Sequence, residues 1–146
     1  MLLVHVLLGA LWLGGVMYQE TLVAAARKEG MDSYVRVAVR TAVNNGKVYP
    51  PVTVLLMITA MWMILVRDDL SWGAAWVVAA IILWVIGVVV GIFYFTPKAR
   101  ELAERLENEG SSPSLQTAVD RMQSVARADL VLLVFLLVLM ILKPGA

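Results

Sequence analysis

The sequence predicts an all-α integral membrane protein: a four-helix bundle with cytoplasmic helical extensions and both chain ends outside the cytoplasm. Three observations predict this fold class. The 146 residues are 61% hydrophobic, which is more apolar surface than one small soluble core could bury. Four apolar runs approach the ~20 residues that a helix needs to cross a bilayer. The charged residues lie almost entirely between these runs.

The first predicted span covers about residues 2–22 of a single transmembrane domain, 1–146. Nothing basic precedes Leu2 and no A-x-A-like cleavage site follows the apolar run, so we expect a retained span rather than a signal peptide. Helix-favouring residues then carry the helix to Lys28, and Gly30 is expected to end it.

The first cytoplasmic connection, residues 27–49, is predicted to form a short amphipathic helix along the membrane surface. Asp32 can cap this helix, and the Asn-Asn-Gly run at residues 44–46 is expected to break it. Pro50 opens the second span, about residues 50–66, because a first-turn proline gives up no helical hydrogen bond. The Arg-Asp-Asp run after this span predicts a tight hairpin turn.

The third predicted span, about residues 73–95, begins beside two tryptophans and ends in Phe-Tyr-Phe. Aromatic residues of this kind favour the two membrane interfaces. The second cytoplasmic connection, residues 96–125, is expected to extend this helix to about Asn108. Glu101 and Arg105 have the spacing of an ion pair on it.

The fourth predicted span, about residues 126–142, is the apolar half of a long final helix. Ser114 is expected to cap this helix after a flexible Gly-Ser-Ser-Pro linker. The polar first half runs to Asp129, and Lys143 with Pro144 ends the helix.

The distribution of basic residues predicts the orientation. Ten of the 12 Lys and Arg residues fall in the two long connections or, for Arg127, at the adjoining start of the fourth span, and the positive-inside rule places this side in the cytoplasm. The ten are Arg27, Lys28, Arg36, Arg40, Lys47, Lys98, Arg100, Arg105, Arg121 and Arg127. Only Arg67 and Lys143 lie on the other side.

The composition excludes several classes of protein. With no cysteine, the chain has no disulfide, thiolate metal ligand, iron–sulfur cluster or covalently attached c-type haem. Acidic residues interleave with basic ones in both connections, so no nucleic-acid footprint is expected. No metalloprotease pairing, P-loop or nucleophile elbow is present, which argues against a hydrolase.

His5, the single histidine of the chain, is the first candidate for binding chemistry. Gly9 and Trp12 lie on the same stripe of the first helix, and a glycine one turn from a histidine leaves room for a flat ligand such as a porphyrin. A polar residue within a span is a functional candidate by default. The alternative is a hydrogen-bonded histidine at the membrane interface.

Methionines and one lysine could supply further ligands at the depth of His5. Met57 and Met61 stand four residues apart on the second span, and Met140 and Lys143 lie near the end of the fourth. Such a set could give haem a His/Met ligand pair or bind Cu(I). The alternative is that these methionines fill the core.

Two charged residues at the ends of the fourth span also have a simple interpretation. Lys143 would extend to the outer headgroups, and Asp129 would be neutralised by a cytoplasmic arginine.

Taken together, His5, the Trp-Leu-Gly-Gly run from Trp12, the prolines that open the second span and the terminal Lys143-Pro144 resemble the CopD/HemJ-like four-helix integral membrane protein superfamily. That resemblance covers the whole chain. It implies that His5 would be a haem or copper ligand and that Lys143 would lie near the bound group. HemJ-type proteins carry further histidines and a polar third helix, whereas this chain has one histidine and an uncharged third span.

The function predicted is therefore binding of b-type haem or a copper ion near the outer leaflet through His5, assisted by methionine or Lys143, in redox chemistry or metal handling. The alternative is a non-catalytic accessory or structural subunit of a larger membrane complex. Expected partners are the lipid bilayer and a homo-oligomer or larger complex. The expected location is the bacterial inner membrane.

Overall fold

The computed structural model describes residues 1–66 and 72–143, which form helices joined by short turns. In chain order these are α1 (Leu2–Glu29), α2 (Met31–Val66), α3 (Ala75–Val90), a π-helical segment (Gly91–Phe95), α4 (Thr96–Glu109) and α5 (Pro113–Leu142). No strand occurs in these two ranges. The predicted Arg-Asp-Asp turn and Pro144 lie outside the described residues.

Four helices are long and apolar enough to cross a membrane: Leu2–Glu29, Met31–Val66, Ala75–Glu109 and Pro113–Leu142. The third of these comprises α3, the π-helical segment and α4. The all-α bundle of four spans is thus confirmed. Gly30 ends α1 with a φ of 132°, a conformation that glycine adopts without steric cost.

Helix α2 runs unbroken from Met31 to Val66, so the predicted break at residues 44–46 is wrong. Asn and Gly cost at most about 1 kcal/mol each inside a helix, and α1 packs along α2, which offsets that cost. Pro50 and Pro51 lie inside the helix and cannot donate the usual hydrogen bonds to the carbonyls four residues earlier.

One end of the bundle has a dense apolar core. We call this end the basic-end layer; it comprises residues 23–43 and 96–128. Its core packs the last turns of α1, the first half of α2, α4 and the first half of α5. The buried residues are Val23, Tyr34, Val35, Ala38, Val39, Leu102, Leu115, Val119 and Met122. Ion pairs and hydrogen bonds surround this core on its exposed side.

Two local predictions in the basic-end layer need correction. Glu101 pairs with Lys98 at 2.8 Å, and Arg105 pairs with Glu109 at 3.6 Å, so the two residues expected to pair each take another partner on α4. The cap of α5 is Ser112, whose hydroxyl accepts from the Leu115 amide at 3.2 Å. Pro113 then occupies the first helical position, which its fixed φ favours.

The opposite end carries the beginning of α1 and the end of α5, and it buries far less. We call it the terminal half; it comprises residues 2–16, 52–66, 72–87 and 130–143. Its buried residues are Leu56, Thr59, Val77, Ala80 and Leu136, and most of its large apolar side chains are exposed on the outside of the bundle. Lipid would cover such a surface, and small residues allow the helices to approach.

Candidate functional site

His5 contacts the neighbouring helix through one hydrogen bond. Its Nδ1 lies 2.8 Å from the Thr59 hydroxyl oxygen, and that hydroxyl lies 2.9 Å from the carbonyl oxygens of Leu55 and Leu56. A hydroxyl has a single proton. In the tautomer with a proton on Nδ1, Thr59 donates to a carbonyl and accepts from His5, and Nε2 carries a lone pair.

The methionines of α2 lie away from His5. Met57 and Met61 are each two residues from Thr59, and at 3.6 residues per turn two residues correspond to about 200° of rotation. Both side chains therefore lie on the face of α2 opposite Thr59. Met61 is 43% exposed on the outside of the bundle. The structure does not bring this pair to His5.

Lys143 and Met140 belong to the pairing of α3 with α5. The Lys143 Nζ lies 5.7 Å from the centre of the Trp76 ring, and Met140 is half-buried one turn beyond the buried Leu136. Gly9 borders open space, since a Cβ there would meet no atom within 4 Å. Within the described residues, no group of three or more His, Asp or Glu is arranged to hold a metal ion.

A cavity of about 260 Å³ lies where the basic-end layer meets the terminal half. Residues of α1, α2, α3, the π-helical segment, the first residue of α4 and α5 line this partly open space. Four aromatic residues from four elements line it: Trp12, Tyr49, Trp84 and Phe95. The other polar lining residues are Gln19, Glu20, Thr41, Asn45, Thr53, Thr96, Gln123 and Asp129. Of the predicted site residues, only Trp12 lines this cavity.

The wall formed by α1 and α2 is held by a polar contact between helices. Asn45 Nδ2 donates to Gln19 Oε1 at 2.7 Å. The Tyr49 hydroxyl approaches α1 so closely that a Cβ at Gly15 would lie 3.2 Å from it, and the Trp12 and Tyr49 rings are 6.3 Å apart. Asn45, which seemed from the sequence to break the helix, thus links α2 to α1.

The opposite wall carries polar groups without protein partners. Trp84 Nε1 is buried and has no hydrogen-bond partner among the described residues. Gln123 is 8% exposed, lines the cavity and makes no hydrogen bond within the described chain. Buried polar groups are almost always hydrogen-bonded, so the unpaired Trp84 Nε1 sets this wall apart from the wall formed by α1 and α2.

Asp129 is half-buried on the same wall. Its Oδ1 lies 3.9 Å from the position that a Cβ at Gly87 would take, so the carboxyl group faces α3 at this glycine. In the described residues Asp129 has neither an ion pair nor a hydrogen bond. The cytoplasmic arginine expected to neutralise it does not do so. Arg127, two residues away, instead contacts Glu20 at 3.3 Å.

The π-helical segment lies against the cavity. Gly91, Ile92 and Phe95 line the cavity, and the Thr96 hydroxyl donates to the Gly91 carbonyl at 2.9 Å. Single π-helical turns inside α-helices occur frequently at functional sites. No sequence pattern predicted this turn, because its residues are those of an ordinary apolar helix.

The arrangement is suited to binding. Aromatic side chains, amides and a carboxylate converge on one enclosed space, and pockets with a few convergent polar groups on an apolar lining are the usual form of a small-molecule site. The sequence singled out Asp129 but offered no reason to select Gln123 or Trp84. One feature of the sequence could have indicated part of this site. Gln19, Asn45 and Gln123 are amide residues that lie close to the ends of spans, at a common depth in the membrane.

Comparison with known proteins gives one family. A family model described as "Predicted integral membrane protein (DUF2269)" matches residues 1–144. No curated protein and no solved structure matches the chain.

Proposed function

The chain belongs to the DUF2269 family of predicted integral membrane proteins, and we propose that it is a binding protein that holds a small ligand in its central cavity. The observation that carries this proposal is the meeting of four aromatic side chains, Trp12, Tyr49, Trp84 and Phe95, with the Asp129 carboxyl group on one cavity of about 260 Å³. Asp129 has no ion pair or hydrogen bond within the described residues. An acidic group in a membrane span is costly without a partner, and a ligand that pairs with it removes that cost.

The ligand would enter from the side of the basic-end layer. Several cavity-lining residues, among them Thr41, Asn45, Thr96 and Gln123, belong to stretches that the positive-inside rule assigns to the cytoplasmic side. The membrane we infer is a bacterial inner membrane.

The test is native mass spectrometry of protein purified from its host membrane in mild detergent. Ala126 lines the cavity, whereas Ala128, two residues along the same helix, is exposed. We expect the parent and Ala128→Phe to carry a non-covalent adduct and Ala126→Phe to lack it, with all three proteins folded. An adduct present equally in all three, or absent from the parent, would contradict the proposal.

A second candidate function is binding of b-type haem or a copper ion through His5. The hydrogen bond to Thr59 favours it, because ligating histidines commonly donate their other ring N–H to an orienting partner. The residues fit only one ligand position. Met57 and Met61 lie on the far face of α2, so a second ligand would be Lys143 after rearrangement, water, or a group from a partner chain.

The optical spectrum and copper content of the purified protein test this candidate. Bound haem or copper should disappear in His5→Ala and persist in Val6→Ala, a neighbouring change at an exposed position. Thr59→Val should weaken metal binding by roughly 10–100-fold, the usual effect of losing an orienting partner. Equal haem and copper content in the His5→Ala variant and the parent would remove His5 from the site. Absence of both haem and copper would favour ligand binding in the cavity. It would equally favour the role of an accessory subunit in a larger membrane complex or homo-oligomer.

A further inference from the structure

We infer that the ligand of the central cavity is a small organic cation of the substituted-ammonium class. This inference rests on the proposed function and adds the chemical class of the ligand. It follows from the unpaired acidic residue of the cavity and from its aromatic walls.

The cavity contains one acidic residue that has no basic partner in the described chain. Two acidic residues line it, Glu20 and Asp129, and none of its described lining residues is basic. Glu20 is neutralised by Arg127 at 3.3 Å. Asp129 has no such partner in the described chain, and a carboxylate within a membrane span is costly unless it is paired. A bound monocation would make the site neutral.

The walls favour an organic cation over a metal ion. The rings of Trp12, Tyr49, Trp84 and Phe95 line the same space as Asp129, and a ring face attracts an ammonium group by about 0.5–2 kcal/mol. Hard metal ions require six or more oxygen ligands. The described residues hold no cluster of acidic or histidine ligands that could supply them.

The size of the cavity limits the ligand. The volume of about 260 Å³ is near the lower end of the range for small-molecule pockets, roughly 300 Å³. A compact substituted-ammonium compound such as an amino alcohol meets this condition.

The test uses choline and its neutral carbon isostere, 3,3-dimethylbutan-1-ol, as probes. Binding is measured by calorimetry on the full chain in phosphatidylglycerol nanodiscs. For the parent we expect choline to bind at least about tenfold more tightly, given the strength of charge-assisted and cation–π contacts. In Asp129→Asn the two affinities should become nearly equal. Asp120→Asn, the same change nine residues earlier and outside the cavity, should keep the preference.

Nanodiscs that contain phosphatidylcholine identify the source of the cation. Loss of choline binding there indicates a lipid headgroup, and unchanged binding indicates a soluble cation; both results support the inference.

Four outcomes would overturn the inference. Equal affinity of the parent for both probes would exclude a cationic ligand. A cationic ligand would also be excluded if neither probe binds to protein that carries an adduct in mass spectrometry. In both cases the cavity would remain a binding site. A choline preference that persists in folded Asp129→Asn would exclude the role of Asp129. Absence of both probe binding and adduct would overturn the proposed function together with the inference.

Discussion

The basic-end layer and the terminal half are built from the same helices but are held together differently. In the basic-end layer Val35, Leu102 and Leu115 are fully buried, and Asp120 accepts from Tyr34 and pairs with Arg27. In the terminal half most large apolar side chains point outward. Water drives the first arrangement through apolar burial, whereas lipid offers no such drive between helices in the second.

This difference explains where the cavity lies. The dense packing of the basic-end layer fixes the spacing of the helices at one end. Where this layer meets the terminal half, at the junction, the residues are small and do not fill the space between the helices. Two aspartates of α5 illustrate the contrast. Asp120 lies in the layer with two partners, and Asp129 lies at the junction with none in the described chain. We infer that the layer provides stability and that the junction provides binding.

The largest expected effect concerns membrane topology. The topology decides whether the basic-end layer lies in the water of the cytoplasm. A reporter fused at Gly110 should be cytoplasmic and one fused after Ala146 external, because ten of the 12 basic residues lie on one side. Paired alkaline phosphatase and green fluorescent protein fusions measure this. An external signal at Gly110 would reverse the assignment of the basic-end layer to the cytoplasm.

The second prediction compares one leucine from each region. Leu102→Ala should lower the free energy of unfolding by about 2–5 kcal/mol, because it leaves a cavity in a closed core. Leu137→Ala, at a side chain 40% exposed and facing lipid, should cost less than about 1 kcal/mol. Denaturant titration in mixed micelles gives both values. Equal losses would show that the two regions are packed alike.

The third prediction compares the two aspartates. Asp120→Asn should lower the free energy of unfolding by about 1 kcal/mol, since it weakens one charge-assisted hydrogen bond and one partly exposed ion pair. Asp129→Asn should leave it unchanged or raise it, because an unpaired carboxylate is removed from a half-buried position. A marked loss in Asp129→Asn would indicate a stabilising partner for Asp129 and would argue against its role in binding.

The smallest effect concerns the pH dependence of the layer. Burial and the neighbouring Asp120 carboxylate raise the pKa of Tyr34 to about 12, from 10.0. The neutral hydroxyl, which donates to Asp120 at 2.6 Å, therefore stabilises the fold fully below pH 10, and this contribution is lost as the pH rises towards 12. The difference in unfolding free energy between the parent and Tyr34→Phe should shrink over that window. A constant difference would disprove the coupling.

Much of the fold could be predicted from the sequence because lipid imposes simple rules. Length and hydropathy gave the four spans, Gly30 gave the end of α1, and the polar run after residue 96 gave the extension of the third helix. The unbroken α2 could not be predicted. The helix-breaking residues at 44–46 destabilise the helix by less free energy than its packing against α1 contributes.

The site was harder to predict because it depends on how the helices are rotated about their axes. Met57, Met61 and His5 share a depth that the sequence shows, but the hydrogen bond from His5 to Thr59 turns the methionines away. The cavity combines residues of all four spans, and no single helix reveals it. Asp129 was visible as an unusual charge, yet only the structure shows that Arg127 pairs elsewhere.

The most direct measurement of the central claim is the reactivity of single cysteines, since the chain has none of its own. Two variants are treated in inside-out vesicles with a water-soluble trimethylammonium methanethiosulfonate. Ala126→Cys lies in the cavity wall, and Val131→Cys is at a side chain that is 69% exposed towards lipid. Only a hydrated thiol ionises and reacts. A binding cavity predicts that Ala126→Cys reacts and is protected by choline while Val131→Cys stays unmodified. Failure of Ala126→Cys to react, or equal rates at both positions, would contradict the account.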